Sequence, residues 1–174
     1  MEKIKSIIKL LRPKHSVKNL LIFLPLIFGL KDLTLKDFRT SILGFIVFCL
    51  VASSIYIIND YKDIEKDRLH PVKKKRPLAS GAVTKKEAWI TFSVLLLIAI
   101  IISFTFPIAS IGLIAGYFIL NLGYSLGLKN IPILDVVILT SGFMIRLFLG
   151  SSLSGIAVSP LLYLVVMSSA FYLG

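Results

Sequence analysis

The sequence predicts an all-α integral membrane protein, with about six transmembrane helices preceded by an N-terminal amphipathic helix. Three observations lead there. Of 174 residues, 56% are hydrophobic and only 17% charged, where soluble domains carry about 25% charge. Mean hydropathy is +0.89. Apolar runs long enough to cross a bilayer recur along the chain.

Each element has its own signal. In residues 1–12, Ile4, Ile7, Ile8 and Leu11 share one helical face while Lys3, Lys5, Lys9 and Arg12 take the others, the pattern of an interfacial helix. A first span is expected over 17–30, kinked at Pro25, and a second over 41–58. A polar loop, 59–87, follows. The third span covers 88–106, Pro107 breaks it from a fourth over 108–128, a fifth covers 133–153, and a sixth starts at Pro160. The whole is expected to form one membrane domain. The one cysteine, Cys49, lies inside an apolar run, which excludes a disulfide framework or a cysteine metal site.

Lysine and arginine gather before the first span and in the loop after the second, while the loops beyond spans three and five carry none. The positive-inside rule therefore places the N-terminus and the long loop on the cytoplasmic face of a multi-pass cell-membrane protein. That rule, with attraction to anionic lipid, accounts for most of the net charge of +11. It does not account for the acids: Asp60, Asp63, Glu65 and Asp67, four of the nine in the chain, fall within eight positions.

In "NDYKDIEKD", Asp60, Asp63 and Asp67 are spaced i, i+3, i+7 and share a face if the second span continues as a helix into the aqueous rim. Three carboxylates on one stripe repel, and a hard divalent cation removes that repulsion. Mg²⁺ suits the position, because it prefers oxygen ligands and is usually held by one or two carboxylates plus substrate phosphates. Asn59 can add an amide oxygen. Between Asn59 and Lys86, nine Lys/Arg face four Asp/Glu. A metal site alone does not call for that surplus; a metal–pyrophosphate site does, because cations neutralise the departing leaving group. Arg146 stands alone in the middle of the fifth span. A charge at that depth needs a polar cavity or a partner, and Asp135, eleven residues before it, is too far along the helix for direct contact.

"NDYKDIEKD" resembles the first aspartate-rich motif of the UbiA superfamily of membrane prenyltransferases, and "YSLGLK" resembles that superfamily's tyrosine–lysine signature. "RPKHSVKN", "DRLHPVKKKRPLASG" and "MIRLFLGSSLSG" look like the decaprenyl-phosphate phosphoribosyltransferase branch. The resemblance implies a UbiA-like helical bundle, normally of nine spans, and Mg²⁺-dependent transfer of a 5-phosphoribosyl group from phosphoribosyl pyrophosphate to a polyprenyl phosphate. It implies catalytic and metal roles for Asp60, Asp63 and Asp67. Substrate binding is implied for Lys18, Asn19, Asn59, Lys73, Arg76, Tyr124, Lys129 and Arg146. The expected partners are the lipid acceptor, a diphosphate-activated donor and the bilayer, with no nucleic acid. The second charged motif usual after span six does not appear before Gly174, so the resemblance also implies a bundle incomplete at its C-terminus, or completed by a second copy.

Two other classes compete. Prenyl transfer from a polyprenyl diphosphate to an aromatic or glycerol-type acceptor would use the same metal stripe. A transporter or non-catalytic membrane subunit would place ionisable groups near the bilayer midplane, where this chain has little besides Arg146.

Overall fold

The computed structural model describes residues 2–29, 34–128 and 131–173. Among them, α1 (Glu2–Leu10) leads into a 3-10 segment, Pro13–Phe23, and the short α2 (Leu24–Phe28). Next come α3 (Leu35–Lys62), α4 (Ile64–Leu69), a 3-10 turn at Lys73–Lys75, α5 (Lys85–Ser103), α6 (Ile108–Leu126), α7 (Pro132–Ser154) and α8 (Pro160–Leu173). No strand occurs among the described residues.

Local chemistry starts the long helices. Thr34 Oγ1 accepts the Asp37 N–H (3.2 Å), and the Asp37 carboxylate accepts the Thr34 N–H (3.1 Å), a capping box that opens α3. Thr84 and Glu87 build the same box at α5 (3.3 and 2.9 Å). The 28 residues of α3 reach about 42 Å at about 1.5 Å per residue, beyond the roughly 30 Å of hydrocarbon in a bilayer. Its last turns, with Asn59 and Asp60, therefore stand at the rim.

Four helices among the described residues are long and apolar enough to cross a membrane: α3, α5, α6 and 133–154 of α7. The apolar α8 is shorter. The first expected span is helical but not α-helical throughout. Residues 13–23 wind as a 3-10 helix, and only 24–28 form an α-helix, with Pro25 in its first turn. The reason is tertiary. This segment follows α7 closely: a Cβ on Gly150 would lie 2.0 Å from the Ile22 carbonyl oxygen, and Asn19 reaches Arg146. Leu30 lies outside the described residues.

Among the described residues three apolar clusters hold the bundle, the smallest packing α8 onto α7 through Leu147, Leu162 and Val166; the other two are larger. One joins Ile22, Val47, Phe48, Val51, Ile55, Tyr117 and Leu149, with α3 central and packed against α5, α6, α7 and the 3-10 segment. The other joins Leu10, Ile57, Ile64, Leu78, Val83 and Ala88 beneath the rim. Leu10 is fully buried there, and Lys3 pairs with Glu87 at 2.5 Å, so α1 is docked on α3 and α5. The polar loop is likewise anchored: Pro77, Leu78, Ala79 and Val83 are buried, and the Val83 N–H bonds the Pro77 carbonyl at 3.0 Å.

Candidate active site

At the rim, α3 stops at Lys62 and α4 begins at Ile64, with Asp63 between them at φ −91°, ψ 8°. The Asp63 N–H bonds the Asn59 carbonyl (3.0 Å) and its carbonyl accepts the Asp67 N–H (2.7 Å), so a nearly helical path survives the break. Seven residues are close to two full turns, and Asp60 and Asp67 accordingly meet. Each is only 2% exposed. Arg76 bridges them, donating from Nη1 to Asp60 Oδ1 (3.2 Å) and Asp67 Oδ2 (2.7 Å). Arg12 donates to the same Asp60 oxygen. Asp60 and Asp67 thus form a bridged pair, with half-buried Asp63 at the helix junction between them.

The other wall is basic. A cavity of about 690 Å³ opens between the end of α1 and the Val72–Pro77 stretch, lined by Lys9, Arg12, Lys14, Lys73, Lys75 and Arg76 around Asp60. Lys9 Nζ spans it by donating to the Lys75 carbonyl (3.2 Å). Arg12 has φ 51°, a left-handed conformation costing a non-glycine residue about 1 kcal/mol or more. Its side chain lies over the Tyr56 ring (4.9 Å), and His15 meets that ring edge-on (5.4 Å). Desolvation, then the charges of Arg12 and Lys18, hold His15 below its ordinary pKa; it is neutral at pH 7.

Deeper in the bundle, Arg146 is 7% exposed. Its Nε donates to Asn19 Oδ1 (2.8 Å), Nη1 to the Gly142 carbonyl (2.6 Å) and Nη2 to the Tyr117 hydroxyl (3.1 Å). The guanidinium also faces the rings of Phe48 and Tyr117, at 4.9 and 5.0 Å. These partners are all neutral, and they keep the cation hydrogen-bonded where water is scarce. Asn19 in turn donates to Cys49 Sγ (3.1 Å).

The structure therefore gathers Asp60, Arg76 and Lys73 at one cavity, with Asp67 bonded to Arg76 beside it, and places Arg146 with Asn19 in a second, buried cluster. Lys18 lies over the Phe143 ring (5.6 Å). Tyr124 hydrogen-bonds Asp135, tying α6 to the start of α7. Lys129 lies outside the described residues. Sequence reasoning missed Lys9, Arg12, Lys14 and Lys75 as cavity residues, because 48 positions separate Arg12 from Asp60. Tyr56 could have been found, being one turn before Asp60 on the same face.

The Asp60 and Asp67 carboxylates offer oxygen donors, which suit a hard cation; the neutral imidazole of His15 also lines the cavity. Among the described residues no three His, Cys, Asp or Glu side chains form a closed metal cage. Two buried carboxylates beside a cation-rich cavity fit Mg²⁺ shared with phosphate oxygens, the usual manner of holding that ion.

Comparison with known proteins agrees. The UbiA prenyltransferase family model matches residues 20–173. The chain is 38% identical over 173 residues to the decaprenyl-phosphate phosphoribosyltransferase of Corynebacterium glutamicum, covering 97% of this chain and 52% of that protein. For the Mycolicibacterium smegmatis protein of the same name the values are 34%, 98% and 55%. The chain spans about half the length of these curated relatives. A solved UbiA homolog from Archaeoglobus fulgidus bound to DMAPP and Mg²⁺ aligns with TM-score 0.80 at 22% identity, over 95% of this chain and 60% of that one. The form bound to GPP and Mg²⁺ aligns equally well, with TM-score 0.80. At such identities the likeness is one of fold.

Proposed function

The chain belongs to the UbiA prenyltransferase family, and on that premise we propose that it serves Mg²⁺-dependent transfer of a 5-phosphoribosyl group from phosphoribosyl pyrophosphate to a polyprenyl phosphate. The reaction is placed at the cytoplasmic membrane face. The observation that carries it is Arg76, held between two buried carboxylates at the mouth of a basic cavity. The choice of donor is supported by the two relatives named decaprenyl-phosphate phosphoribosyltransferase.

The residues divide the work by charge. Asp60 and Asp67 would hold Mg²⁺, with Asp63 and Asn59 shaping the helix junction behind them. When bound there, Mg²⁺ supplies Lewis-acid stabilisation of the departing pyrophosphate. Arg12 and Arg76 now neutralise the carboxylates; with the metal present they are free to turn to diphosphate oxygens, and Lys73 adds a further charge. An acceptor phosphate has its second pKa near 6 and is largely ionised at pH 7. The attacking oxygen therefore needs no general base: it bonds to C1 of the ribose as the C1–O bond to pyrophosphate breaks. Arg146, with Asn19 and Lys18, is assigned to donor or acceptor phosphate. Tyr124 and Lys129 are assigned to the rim.

A second proposal is prenyl transfer from a polyprenyl diphosphate to an aromatic or glycerol-type acceptor. It draws on the fold neighbours that carry DMAPP or GPP with Mg²⁺. Equilibrium binding to the purified chain separates the two. Phosphoribosyl pyrophosphate should bind at least tenfold more tightly with Mg²⁺ than after chelation, and more tightly than a labelled prenyl diphosphate. Binding of the prenyl diphosphate alone would overturn the first assignment in favour of the second.

A further inference from the structure

The cavity has more positive charge than a diphosphate–metal complex needs. Its lining holds six lysine or arginine side chains and one carboxylate, Asp60. Counting Asp67, bonded to Arg76, a surplus of four remains, and His15 is neutral. A prenyl diphosphate carries about −3 at pH 7, or about −1 once Mg²⁺ is bound, because phosphate groups titrate near pH 6. A donor bearing a diphosphate and a separate phosphate monoester carries about −5, or about −3 with the metal. The second figure comes close to balancing the cavity; the first leaves most of its cations unmatched. The volume, about 690 Å³, lies in the range for small-molecule sites.

Besides Lys73, assigned above to the diphosphate, the cations fall into two groups. Arg12 and Arg76 are tied to the carboxylates. Lys9, Lys14 and Lys75 come from the end of α1, the start of the following 3-10 segment and the basic turn, and Lys9 bonds a backbone carbonyl rather than an acid.

We propose that Lys9, Lys14 and Lys75 form a second anion subsite for a phosphate monoester dianion, the non-leaving 5-phosphate of a sugar donor whose diphosphate lies at Asp60 and Asp67. The assignment rests on the phosphoribosyl-transfer proposal above and makes α1 a determinant of donor choice. An acceptor lipid phosphate would offer the same dianion, and the two sources separate experimentally.

The test is equilibrium binding of ribose 5-phosphate, Mg²⁺–pyrophosphate and a short-chain polyprenyl phosphate to the purified full chain in detergent. Wild type is compared with Lys9→Gln/Lys14→Gln/Lys75→Gln and with Lys14→Gln alone, an exposed position that keeps the test valid if the triple variant unfolds. The triple variant should lose at least tenfold in affinity for ribose 5-phosphate and the single variant about threefold, while Mg²⁺–pyrophosphate binding changes less than threefold in both. Unchanged ribose 5-phosphate binding in the variants overturns the subsite. So does displacement of ribose 5-phosphate by the polyprenyl phosphate, which would hand the cavity to the acceptor. Wild type that binds Mg²⁺–pyrophosphate but not ribose 5-phosphate overturns the subsite alone; binding of neither overturns the transfer proposal as well.

Discussion

Arg76 answers two carboxylates that are buried where α3 ends and α4 begins. Taking away one partner of a buried charge pair costs about 3 kcal/mol, because the remaining charge stays buried. Arg76→Met should therefore lower the unfolding free energy by about that amount, measured by denaturant or thermal unfolding in detergent; a loss below 1 kcal/mol would contradict the described pairing. Arg12 sets two effects against each other, an ion pair to Asp60 and a left-handed backbone. Glycine takes that backbone without penalty, alanine does not. Arg12→Gly should thus be more stable than Arg12→Ala by about 1 kcal/mol, although both lose the pair. Equal stability of the two variants would show that the backbone conformation carries no strain.

Helix packing depends on a few close approaches between backbones. At Gly150 the 3-10 segment and α7 touch with no room for a methyl group. Gly150→Ala must push residues 13–23 off α7, and overpacking of this kind costs about 1–3 kcal/mol. Because the same displacement separates Asn19 from Arg146, the loss should reach the upper end of that range, read as a fall in unfolding temperature. A normal unfolding temperature would mean that α7 and the segment are further apart than described. The capping box of α5 makes a smaller contribution: Thr84→Ala should cost about 1 kcal/mol by the same measurement. The i, i+7 spacing already brought Asp60 and Asp67 to one face. No local pattern announced the break at Asp63, since the surrounding residues suit an unbroken helix.

For the whole chain, a multi-pass membrane protein, the distribution of charge leads to an orientation. The loop with nine Lys/Arg between Asn59 and Lys86 is expected on the cytoplasmic face. With Cys49 replaced by Ser, a cysteine at exposed Ser80 should react with a membrane-impermeant thiol reagent only in inverted membranes. A cysteine at exposed Lys36, at the other end of α3, should react in right-side-out ones. The reverse pattern would place the candidate site on the outer face.

Much of this protein was legible along the chain because its causes are local. Apolar runs had to become helices, since buried backbone groups must be bonded within their own segment in lipid, and the breaks at Pro107 and in the long loop followed from residue type. The aspartate spacing and the nearby bases marked the rim as a candidate site, the one proposed above for metal and phosphate. What only the tertiary structure decided are pairings between distant positions. Arg12 with Asp60, Lys9 with the Lys75 carbonyl, Asn19 with Arg146, and the winding of residues 13–23 against Gly150 all depend on which helices lie side by side. Periodicity tells which face of a helix is buried, but not which partner covers it, so the basic cavity emerged only once α1 had docked against α3 and the loop.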